Sequence, residues 1–214
     1  MRDAGASGWA GAVERAQPHV AGAGRDRVPA LRVRVGRLLD DRVFDFAIAA
    51  RAGVSKQTVY NHYGSKAELM RAVTERRVHQ ITASLETPGA AECPAEALAS
   101  FGRVMLHSLL TPRGAAFMRM AMVAALDTPD VAAAIYEAGP RTTRRRLAEF
   151  LRLETSQGRL ACPDPLEAAE FFAGMCIGSY QTASLLGVDT GLDEARIDRI
   201  ATEAAARFLR AYTP

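Results

Sequence analysis

Lys56 and Lys66 stand ten positions apart in the stretch AGVSKQTVYNHYGSKAEL, Ala52 to Leu69, and are the chain's two lysines. Of its 27 basic residues, the remaining 25 are arginine. Between and beside the lysines lie Ser55, Gln57, Thr58, Tyr60, Asn61, His62 and Tyr63. Hydroxyls, amides, phenols, an imidazole and two ammonium groups in one short run suit the binding of phosphates and base edges. Gln57 can pair with an adenine edge, and the Thr58 methyl can touch thymine. Tyr60, His62, Tyr63 and Lys66 can each contact backbone phosphate. Asn61 and Lys56 complete the expected DNA-facing set.

Such groups need a rigid carrier. IAARAGVSKQTVY reads as two short helices around a tight turn. Ile48 and Ala49 supply the small apolar face of the first helix. Gly53 takes the positive φ that a Cβ would penalise. Val54 and Val59 point inward, and Ser55 caps the second helix. Lys56, Gln57 and Thr58 then form the exposed first turn of a recognition helix that enters the major groove. Ser65 with Glu68 three positions later makes a capping box, and the helix start there adds a positive dipole end for phosphate.

Beyond this motif the periodicity is helical, with breaks at Gly or Pro. Helices are expected near 47–52, 55–61, 66–86, 94–110, 113–126, 129–137, 141–157, 165–186 and 193–211. Pro94, Pro129 and Pro165 suit first turns, and Gly158 and Gly187 suit helix ends. No segment alternates as a strand, so the fold class is all-α.

The composition agrees with a soluble protein: 214 residues, 49% hydrophobic and 24% charged. No apolar run reaches the roughly 18–20 residues of a membrane span, and no secretion signal is visible, so the expected location is the cytoplasm. Cys93, Cys162 and Cys176 have no paired metal spacing and read as reduced thiols. Residues 1–86 carry 14 basic and 9 acidic side chains, or +5; residues 87–214 carry 13 and 15, or −2, giving the net +3. A basic front on an acidic body suits a polyanion at one end.

IAARAGVSKQTVYNHYGSKAELMRAV closely resembles the DNA-binding signature of the TetR/AcrR family of bacterial regulators. The match runs from Ile48 to Leu69, with Tyr63 where Phe is commoner. YEAGPRTTRRRLAEFL and GRLACPDPLEAAEFFAGM look like the C-terminal domains of AefR-like members. The resemblance implies an all-helical homodimer, more often a repressor than an activator. Its front helices would read double-stranded operator DNA, and its body would bind an inducer and dimerise. The expected organisation is a disordered tail over 1–30, a helix-turn-helix domain over 31–77 and a regulatory and dimerisation domain over 78–214. No enzymatic activity, cofactor or metal is expected.

In the body, the segment 165–186 is apolar on nearly all sides, with Gly174 and Gly178 as a small-residue stripe. The last helix repeats Ile197, Ile200, Ala201, Ala204, Phe208 and Leu209. Two such stripes fit a four-helix dimer interface carried by Gly174, Gly178, Ile197, Ile200, Ala204 and Phe208. Met105, Met118, Met120 and Met122 gather with Phe101, Phe117 and Tyr136 in the middle helices. An apolar or amphipathic effector is therefore expected near Met105, His107, Phe117, Met118, Met122, Tyr136, Met175 and Tyr180. Arg144, Arg145 and Arg146 fan around a helix and read as a solvated surface. His19, His62, His79 and His107 have no metal spacing, and no phosphate loop follows a strand. An alternative is a DNA-binding adaptor without a small-molecule response.

One span departs from the family pattern. RVRVGRLLDDRVFDF, Arg32 to Phe46, lacks both the first-helix motif and a clean amphipathic period. With permitted codons, a frame shifted by one nucleotide can read VFASGGFSTTAFST, which resembles the missing segment at the right distance from Ile48. Residues up to about 45 are therefore expected to be an out-of-frame translation, with impaired DNA binding and an exposed Trp9. The plainer alternative is a divergent first helix within Val28–Phe44.

Overall fold

A computed structural model describes residue 53, residues 55–87 and residues 93–214. All of them belong to one compact unit, Ala49–Pro214. The expectations for residues 1–50, including Trp9, Ile48, Ala49 and the first helix, lie outside the described residues, as does Val54.

Every described element is helical. α1 (Lys56–Tyr63) and α2 (Lys66–Glu86) are followed by α3 (Pro94–Leu110) and α4 (Pro112–Asp127). α5 (Pro129–Tyr136), a π-turn (Glu137–Arg141) and α6 (Thr142–Ser156) come next. α7 (Pro165–Ile177), α8 (Tyr180–Leu185) and α9 (Glu194–Ala211) complete the body.

The caps follow local chemistry. Ser55 Oγ accepts from Thr58 N at 3.1 Å, and Ser65 Oγ accepts from Glu68 N at 3.1 Å. Glu68 turns to Arg71 at 3.4 Å, so the hydroxyl half of the expected capping box is the recorded one. Asp164 accepts from Leu166 N and Glu167 N, with Pro165 in the first turn of α7. Asp193 caps α9 in the same way.

Two expected boundaries are corrected. The break between 137 and 141 is a continuation: the helix passes Pro140 through one π-turn. Proline lacks the N–H and crowds the carbonyl four residues back, and a wider turn relieves both. Thr143 Oγ1 donates to Gly139 O at 2.9 Å within it. The single helix expected over 165–186 divides at Gly178, whose φ of 47° ends α7 and redirects the chain into α8.

The core lies where α3, α7 and α9 meet, with α6 packed on α7. Phe101, Phe172 and Phe208 are fully buried. Their rings form a chain, 6.0 Å from Phe101 to Phe172 and 5.3 Å from Phe172 to Phe208. Gly102 permits this approach, since a Cβ there would meet Cys176 Sγ at 3.1 Å and Ala201 Cβ at 3.3 Å. Cys162 and Cys176 are buried and Cys93 is exposed, all as free thiols; burial pushes the Cys176 thiol up to about 12.

Ile197, Ala204 and Phe208 belong to this core, which corrects their assignment to a dimer interface. One apolar face of α9 seals its own body against α3, leaving Ile200 partly buried beside it. The Gly174–Gly178 stripe is likewise not a continuous helical surface, because Gly178 lies past the end of α7. Exposed apolar groups sit instead on the outer side of α7: Leu166, Phe171 and Met175.

Candidate DNA-reading helix and effector cavity

α1 is short, and tertiary contact holds it more than propensity does. Val59 is buried, and α1 packs against α2. Gly64, at φ 78°, ends the helix with its N–H on Tyr60 O at 2.8 Å. Ser65 follows at once and starts α2.

Gln57, Thr58, Asn61, His62 and Tyr63 are exposed together on α1; Tyr60 and Lys66 are partly buried. Gln57 Nε2 donates to Asn61 Oδ1 at 2.9 Å, one helical turn away. The pair holds the two amides in a common orientation on the exposed face, a coupling that the sequence reading missed. Thr58 Oγ1 lies 2.8 Å from Ser55 Oγ. The His62 and Tyr63 rings meet edge to face at 4.8 Å. These contacts preorganise donors and rings along a single short helix.

α2 continues from this site into the body, packing on α3, α5, α6 and the π-turn. The domain boundary expected at 77/78 falls inside α2, which serves both parts. Beside its middle lies a cavity of about 310 Å³, within the size range of small-molecule sites. Met105, Phe117, Met118, Met122 and Tyr136, five of the eight residues named as effector candidates, line it.

The other three candidates fall elsewhere. His107 lines a separate, more polar cavity of about 480 Å³, where its Nε2 meets Glu194 at 2.9 Å. Met175 and Tyr180 line an outer groove with Arg199 and Arg207. The end of α7 at Gly178 explains the difference: it brings Gln181 and Leu185 of α8 to the cavity in their place.

Sequence reasoning also missed polar members of the cavity, Thr74, Arg77, Ser108, Thr143, Arg144 and Gln181. Arg77 donates to the Ser108 carbonyl, and its guanidinium sits 4.6 Å from the centre of the Phe117 ring. Burial holds its pKa below the ordinary arginine value. Gly139 of the π-turn packs on Thr74, whose methyl would lie 2.9 Å from an added Cβ. The arginine run is not a common solvated surface. Arg145 is exposed, Arg144 reaches Glu170 at 3.5 Å, and Arg146 binds Thr82 and Glu86 of α2 at 3.0 Å each.

The sequence and the fold match known proteins. Residues 96–214 match the family model "AefR-like transcriptional repressor, C-terminal domain". Residues 47–73 match "Bacterial regulatory proteins, tetR family". Among solved structures, the flavonoid-responsive regulator FrrA is 33% identical, with 78% of this chain and 85% of that chain covered and a TM-score of 0.60. The fold is shared with a protein of Mesorhizobium loti MAFF303099 described as a TetR-family transcriptional regulator (24% identity, 78% and 85% coverage, TM-score 0.63). It is shared also with a TetR transcriptional regulator of Agrobacterium tumefaciens (24%, 78% and 82%, TM-score 0.58). No curated protein sequence matches the chain. The chain belongs to the TetR family of non-catalytic, DNA-binding transcriptional regulators, with an AefR-like C-terminal domain.

Proposed function

We propose that the chain is a homodimeric repressor whose grip on operator DNA is released by a small, largely apolar effector. The observation that carries this reading is the continuity of α2. Its first turn adjoins the reading helix, and Thr74, Arg77, Val78 and Ile81 further along it line the cavity. From Lys66 to Arg77 the helix advances about 16 Å at 1.5 Å per residue. A ligand that alters the packing around Arg77 therefore biases the angle at which α1 leaves the body.

A dimer must set two reading helices about one DNA turn apart to engage both half-sites. An effector with higher affinity for another spacing lowers operator affinity by the same coupling factor, typically about 5–150-fold. FrrA's description as flavonoid-responsive supports a planar aromatic effector here. Operator release on adding such a compound, followed by gel shift, tests the reading; an adaptor would show none.

Ser55, Lys56, Gln57, Thr58, Tyr60, Asn61, His62, Tyr63 and Lys66 are the proposed DNA contacts. Gln57→Ala is expected to blur preference at one base position at a cost of about 1–3 kcal/mol. Lys66→Ala should weaken binding to all sequences alike and reduce the salt slope by about one. Unchanged operator affinity in both variants, titrated at several salt concentrations, would remove the assignment.

A second reading has its own support. The match to the family's DNA-binding model begins at Ala47, immediately after the span that departs from the family pattern. A chain whose residues up to about 45 are out of frame lacks the brace for α1 and binds operator weakly. Restoring the shifted frame over those codons should raise affinity at least about tenfold. An intact single frame in the resequenced gene, with tight binding by the present chain, would refute this reading.

A further inference from the structure

We propose that the effector is an aromatic molecule carrying an acidic oxygen, a phenolate or carboxylate, and that Arg77 binds that oxygen. The proposal rests on reading the α2 cavity as the effector site. Its lining includes two guanidinium groups, Arg77 and Arg144, and no carboxylate. Arg144 already leans on Glu170. Arg77 has no acidic partner among the described residues; its contacts are the Ser108 carbonyl, the Ser108 hydroxyl at 3.4 Å and the Phe117 ring.

The orientation of Arg77 has a cause in the sequence. Ser108 O would ordinarily accept from the N–H four residues later, but that residue is Pro112 and has none. The Arg77 Nη2 group supplies the missing donor and thereby holds the guanidinium over Phe117. Arginine has five N–H donors in a planar fork. Nη2 serves Ser108, while Nε and Nη1 have no protein partner among the described residues. The second N–H of Nη2, together with the unbonded nitrogen on its own edge of the fork, is the donor pair for a bidentate contact to an anionic oxygen pair, or for two bonds to one phenolate.

The rest of the lining selects the body of the ligand. Phe117, Tyr136, Met105, Met118 and Met122 offer rings and thioethers, which favour a flat aromatic partner. An isolated cation at an apolar cavity bears a desolvation cost, in keeping with its lowered pKa. An incoming anion relieves that cost. It also competes with Ser108 for the guanidinium, and so loosens the tie between α2 and the end of α3.

Calorimetric titration of the full-length protein against two matched probe pairs tests this. The pairs are 2-naphthoate with 2-acetylnaphthalene, and 7-hydroxyflavone with 7-methoxyflavone, above the phenol's pKa. At least one acidic probe should bind about 10–100-fold tighter than its neutral partner. Arg77→Gln should erase that preference while leaving the neutral probe's affinity within about threefold. Equal binding of acidic and neutral probes to the wild-type protein overturns the proposal, with no variant needed. So does a preference that survives Arg77→Gln. In either case, loss of binding in Met118→Trp, which fills the cavity, keeps the effector-site reading. If no probe binds the wild-type protein, both fall.

Discussion

Phe208→Ala should lower the free energy of unfolding by about 3–5 kcal/mol, whereas Phe171→Glu should leave the fold intact and yield monomers. Phe208 is fully buried, with its ring 5.3 Å from Phe172 and 4.6 Å from Tyr212. Removing it leaves a void where α3, α7 and α9 meet. The close contact of Gly102 with Cys176 and Ala201 already brings the helices together, so the void cannot readily collapse. A domain stable by about 5–15 kcal/mol has little margin for such a loss. Phe171 is 54% exposed on α7, beside Met175, and we propose this outer side of α7 as the face that meets the partner subunit. Urea titration and sedimentation measure the two effects. Wild-type stability in Phe208→Ala would contradict the packing described, and a monomeric wild-type protein would end the dimer proposal.

Gly114→Ala should destabilise by roughly 3 kcal/mol, the upper part of the usual range for overpacking. An added Cβ would stand 2.2 Å from Ser108 O and 2.8 Å from the Leu109 carbonyl carbon. Both are backbone atoms, so no side-chain rotation relieves the clash. The corner between α3 and α4 must open, moving Phe117 and Met118 and withdrawing the carbonyl that orients Arg77. A fall in stability together with weakened probe binding is the expected result. Near-wild-type values for both in a urea titration and calorimetry would show that the corner is looser than its geometry requires.

The DNA-reading stretch was legible because its chemistry is local. Ser55 and Ser65 cap within three residues, and Gly53 and Gly64 turn the chain by their own φ. Nothing distant is needed to place Gln57, Thr58, Asn61 and His62 on one exposed helix. The capping prolines were legible for the same reason. Five of the effector candidates share one cavity because methionines and aromatics cluster in consecutive helices, and their neighbourhood survives folding.

Other assignments failed where a residue's role depends on what packs against it. The stripe on α9 has the same period whether it faces a partner or its own body. The burial of Ile197, Ala204 and Phe208 against α3 decided for the body. Gly178 is compatible with a close helix contact or a helix end, and tertiary packing chose the end. Arg77 carried no signal, because its partners Ser108 and Phe117 lie 31 and 40 positions away. By itself the sequence determined the all-α class, the family and the polar face of the reading helix, since those follow from period, caps and turn residues. Only the tertiary structure decided which apolar faces are covered within the chain and which cation stands at the cavity, because burial and electrostatic pairing depend on long-range neighbours.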